Sequence, residues 1–61
     1  MTQVTIEHDR TVIVDRGQTY SLERATGVLR VKIEREGRAP QWRTIKDHRR
    51  RRAVLKRAYQ E

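Results

Sequence analysis

The chain has 61 residues, 38% of them charged and 34% hydrophobic, with a formal net charge of +7 and no cysteine. This is the length of one small domain with a thin core, whose stability is marginal unless a second copy of the chain (a homodimer) or another bound partner adds support. The absence of cysteine excludes a disulfide framework and a thiolate metal site. His8 and His48 lie forty residues apart with no ligand pattern between them, so neither a metal nor a cofactor is expected.

No apolar run approaches the length of a membrane span, and the N-terminus lacks the apolar core of a signal peptide. The expected location is intracellular, in cytoplasm or nucleoid. Charge is distributed unevenly. Residues 1–37 carry six cations and six acids, whereas residues 38–61 carry nine cations against two acids, Asp47 and Glu61. A neutral half joined to a cationic half is the electrostatic footprint of nucleic-acid binding, and it would equally attract an acidic protein surface.

Residues 1–36 alternate as half-buried strands do, and the spacing predicts a four-stranded antiparallel meander over about 3–7, 11–15, 18–24 and 28–35. Val4 and Ile6, Val12 and Val14, Tyr20 and Leu22, and Leu29, Val31 and Ile33 form its inner face. A three- or five-residue loop around His8-Asp9-Arg10 would align Ile6 with Val12 and Val4 with Val14. Val14-Asp15-Arg16-Gly17 suits a type I turn with Gly17 in a bulge, which sets Val14 opposite Gln18 and Val12 opposite Tyr20. A tight turn at Thr26-Gly27 would set Leu22 opposite Val31, Tyr20 opposite Ile33 and, on the other face, Glu23 opposite Arg30. Ile13 and Val28 are then the apolar residues left on the outer face.

Residues 37–43 contain Gly37 and Pro40 and read as a loop. A single helix is predicted over about 44–60, starting at Thr44 with Asp47 as its capping partner, free of Gly and Pro and rich in good helix formers. The fold class is therefore α+β, one domain over 1–61. On a helical wheel Ile45, Val54, Leu55, Ala58 and Tyr59 share the half that covers the sheet. Lys46, Arg49, Arg50, Ala53, Lys56, Arg57 and Gln60 occupy the other half, five cations around a small Ala53 with no acid among them. Ordinary solvated helices mix the two signs four residues apart; an unneutralised cationic face is explained by a partner that supplies the anions. Arg51 and Arg52 fall on the apolar side. Either their stems cover the sheet edge while the guanidinium groups reach water, or the helix start projects past the sheet and leaves them free.

The run Arg49-Arg50-Arg51-Arg52 with Lys56-Arg57 is the feature that carries chemistry. Guanidinium forks grip phosphate oxygens bidentately, and twelve of the fifteen cations are arginine. The expected nucleic-acid-binding residues are Arg43, Lys46, Arg49, Arg50, Arg51, Ala53, Lys56 and Arg57, on double-stranded DNA or structured RNA. Sequence-tolerant single-strand binding calls for a row of stacking aromatics, and this chain has only Trp42, Tyr20 and Tyr59. Trp42 either stacks on a base or closes the core, as a lone Trp in so small a chain usually does. His8–Asp9 sits in a turn with no nearby nucleophile, and Asp47 and His48 would point about 100° apart on a helix, so no enzyme activity is expected. A membrane surface is disfavoured because the apolar stripe is needed for the sheet. The sequence thus reads as a regulatory or architectural nucleic-acid-binding protein; the alternative is a small module or inhibitor that docks its basic helix on an acidic surface of a larger protein or ribonucleoprotein.

Overall fold

The computed structural model describes residues 2–59. Five strands, β1 (Thr2–Ile6), β2 (Arg10–Asp15), β3 (Gln18–Glu23), β4 (Leu29–Ile33) and β5 (Gln41–Thr44), form one open antiparallel sheet in sequential order. A single C-terminal helix, α1 (His48–Tyr59), packs on one face of it. The fold is α+β, as the alternation implies, with one more strand and a shorter helix. The expected helix end at Gln60 lies outside the described residues.

The β2–β3 turn decides which residues form the core. Arg16 and Gly17 both have positive φ, 52° and 78°, which makes a two-residue type I′ turn in place of the expected type I turn with a bulge. Asp15 pairs with Gln18, Ile13 with Tyr20 and Thr11 with Leu22. The register therefore differs by one residue from the expected one, and one residue exchanges the faces of β2. Thr11, Ile13 and Asp15 point under the helix and are buried; Val12 and Val14 lie on the outer face, half-buried. The expected alignment of Val4 with Val14 and Ile6 with Val12 is likewise replaced, by Val4 with Ile13 and Ile6 with Thr11.

The β3–β4 connection is longer than the tight turn expected. Gly27 N–H donates to the Glu23 carbonyl and Glu23 N–H to the Val28 carbonyl, so Tyr20 pairs with Val31 and Leu22 with Leu29. This shift is of two residues, which preserves the faces. Tyr20, Leu22, Leu29, Val31 and Ile33 remain on the inner side. Glu23 still reaches Arg30 (3.1 Å) across the outer face, although Ser21 is Arg30's direct partner.

Residues 41–44, expected as the end of a loop and the start of the helix, pair with β4 from Ile33↔Gln41 to Arg30↔Thr44, and Ile45 N–H extends the ladder to the Leu29 carbonyl. The helix begins three residues later. Asp47 is its N-cap: its Oδ1 accepts from Arg49 N–H (3.0 Å) and its carbonyl accepts from Arg51 N–H. The buried core comprises Ile13, Tyr20, Leu29, Val31, Ile45 and Val54, flanked by Leu22, Ile33, Leu55 and Ala58. Among the described residues no buried side-chain donor or acceptor lacks a partner.

Candidate nucleic-acid interface

Two arginines pin the helix to the sheet. Arg57 Nε donates to Asp15 Oδ2 at 2.6 Å, and Arg51 Nη1 donates to the Gly27 carbonyl at 2.6 Å. The Asp15 carboxylate is buried, and a hydrogen bond from Thr2 Oγ1 (2.7 Å) together with the Arg57 contact holds its pKa below the ordinary value. Arg57 and Arg51 thus hold the two ends of the helix at Asp15, where β2 ends, and at the β3–β4 turn. Their guanidinium groups are engaged within the chain rather than displayed as the wheel predicts for Arg57.

These two contacts set the rotation of the helix. Val54 is fully buried at the centre of its inner face, with Arg51, Leu55, Arg57 and Ala58 half-buried around it. Ala53 is also half-buried, so it is not the centre of the exposed face. The exposed stripe is His48, Arg49, Arg52, Lys56 and Tyr59. Arg52, which falls on the apolar side of the wheel, belongs to this stripe. Tyr59, expected to cover the sheet, is 59% exposed. Arg50 is exposed at the helix start, Lys46 in the linker before it, and Arg43 on β5, on the inner sheet face opposite Val31.

Arg49, Arg52 and Lys56, spaced three and four residues apart, lie in one row. An open groove beside them is lined by His48, Arg51, Arg52, Leu55 and Lys56. A second groove shares His48 and Arg51 and runs on to Lys46, Thr44 and Thr26. The cationic surface is therefore continuous from the linker along the helix. Arg43, Lys46, Arg49, Arg50, Arg52 and Lys56 join none of the ion pairs formed among the described residues, which involve Arg10, Arg30, Lys32 and Arg57. Trp42 lies on the outer sheet face opposite Lys32 and is 43% exposed, which removes it from the core. It stands on the face away from the helix, so it is not part of the helix surface.

The sequence carried a signal for the Asp15–Arg57 pin. Gly17 suits a type I′ turn as well as a bulge, and the type I′ turn points the Asp15 carboxylate inward, beneath the helix that carries Arg57. Among the described residues no cluster of His, Asp and Glu is arranged to hold a metal ion, and no helix is long and apolar enough to cross a membrane. Compared with known protein families, curated proteins and solved structures, the chain matches none.

Proposed function

We propose that this chain is a non-enzymatic nucleic-acid-binding protein, acting inside the cell in a regulatory or architectural role, that docks the exposed stripe of its helix on double-stranded DNA or structured RNA. The observation that carries this reading is the row Arg49, Arg52 and Lys56, with Arg50 at the helix start, Lys46 in the linker and Arg43 on β5, all exposed and joined to no acid among the described residues. From Arg49 to Lys56 the helix rises about 10 Å, a length over which duplex DNA presents about six phosphate charges. Four of the six cations, Arg49, Arg50, Arg52 and Lys56, fall on that stretch, and Lys46 and Arg43 precede it.

The test is titration of a labelled DNA duplex and an RNA hairpin by fluorescence anisotropy across a salt series. With the six cations engaged, log K against log salt is expected to fall with a slope of about −5 on duplex DNA. The triple variant Arg49→Glu, Arg52→Glu, Lys56→Glu should lose at least about tenfold in affinity and flatten the slope by about three. Arg57→Ala, which unpins the helix, should lower the melting temperature and leave the slope of the folded protein nearly unchanged. Equal binding by parent and triple variant overturns the reading. Absence of parental binding to either nucleic acid at 50 mM salt also overturns it and leaves docking on an acidic protein surface as the alternative.

A further inference from the structure

The sheet has two open edges among the described residues, and they are built differently. β5 follows Pro40 and carries Arg43, and a proline or a charge at an edge is how proteins discourage strand-to-strand association. β1, with the sequence Thr-Gln-Val-Thr-Ile, is the one strand of the five without a charged residue, in a chain 38% charged. It contains no proline, and its register with β2 runs unbroken from Thr2↔Asp15 to Ile6↔Thr11, with no bulge to turn the edge aside. Its inner-face side chains, Val4 and Ile6, remain 38% and 70% exposed even though the helix packs against this strand.

We infer that β1 is a docking edge for a second copy of this chain. Two β1 strands pair antiparallel about a two-fold axis through Val4, which sets Thr2 of one copy opposite Ile6 of the other and Gln3 opposite Thr5. A two-fold interface requires a self-complementary surface, and an uncharged strand with an apolar residue at its centre meets that condition without placing like charges opposite each other. β5 meets it less well, because it follows Pro40 and carries Arg43 next to its centre, so a two-fold pairing there sets the two Arg43 side chains directly or diagonally across from each other. The charge balance agrees: the first 37 residues have six cations and six acids, so the surfaces brought together come from the neutral half of the chain. The product is a ten-stranded sheet with both helices on one face. It covers Val4 and Ile6 and supplements a core of only six buried apolar residues.

Sedimentation equilibrium of the full chain over a range of concentrations tests this. The expected result is a species of twice the 7.3 kDa chain mass and a melting temperature that rises with protein concentration. Val4→Lys, which places two ammonium groups at the axis, should give a monomer whose circular dichroism remains that of a folded protein and whose melting temperature no longer depends on concentration. If Val4→Lys unfolds, Ile6→Lys decides instead, since that side chain is largely in solvent already. A parent that stays monomeric at millimolar concentration, or a dimer that survives the folded lysine variant, overturns the proposal. The nucleic-acid reading does not depend on the outcome, because the helix stripe lies outside β1.

Discussion

Ile13 is the residue at which pattern and structure diverge most. Alternation places it on the outer face, whereas it is fully buried beneath the helix. Its position follows from Arg16 accepting a positive φ, which closes the turn in two residues and shifts the register by one. A non-glycine residue in that region is uncommon, and no pattern of apolar residues reveals it. The consequence is measurable. Ile13→Ala should cost about 2–5 kcal/mol, as truncation of a buried aliphatic side chain does, a large share of the roughly 3–9 kcal/mol available to a chain this size. Urea denaturation should find this variant barely folded. Val12→Ala, on the half-buried outer face, serves as the comparison and should cost far less; a larger loss for Val12→Ala than for Ile13→Ala would mean that the faces of β2 are the reverse of those described.

At the level of elements, the helix and the loop before it show how tertiary structure overrides local signals. Thr44 and Asp47 have the spacing of a capping box, and taken alone they place the helix start at Thr44. In the fold, the free edge of β4 recruits residues 41–44 as β5, because ladder hydrogen bonds satisfy more backbone groups than one early turn of helix. Asp47 then becomes the cap itself. Asp47→Ala should lower stability by about 0.5–2 kcal/mol, whereas Thr44→Ala, at an exposed position of the edge strand, should change it little. Thermal melts of the two variants distinguish the starts. The same displacement moves Lys46 off the helix and frees the row Arg49, Arg52 and Lys56 to form its outer side.

At the scale of the whole molecule, two acids hold elements together, Asp15 and Glu23. Asp15 pins the helix, with its pKa lowered by the Thr2 hydroxyl and Arg57, and Glu23 bridges β3 to β4, with its pKa lowered by Arg30 and the Thr26 hydroxyl. Both carboxylates have folded pKa values below their ordinary ones of 3.8 and 4.5. Their contribution is therefore complete above those values and is lost as pH falls through the lower folded values. Denaturation midpoints should be nearly level above pH 5 and decline below about pH 4. Asp15→Asn should start from a lower plateau with a shallower acid decline; an unchanged decline would show that Asp15 is not among the groups responsible.

By itself the sequence determined the class of fold, the neutral and cationic halves, and the inner positions of β3 and β4, because alternation and charge are local properties that survive any register shift of two residues. It also determined that a basic helix follows the strands. The tertiary structure decided which face of β2 is buried, that the fifth strand exists, and which cations remain exposed. Those outcomes depend on a turn conformation that apolar alternation does not encode, on the open edge of β4, and on the Arg51 and Arg57 contacts, which join residues 24 and 42 positions apart. Helical periodicity supplied a cationic face; the angle at which two arginines pin that helix to the sheet determined that Arg52 belongs to it and Arg57 does not.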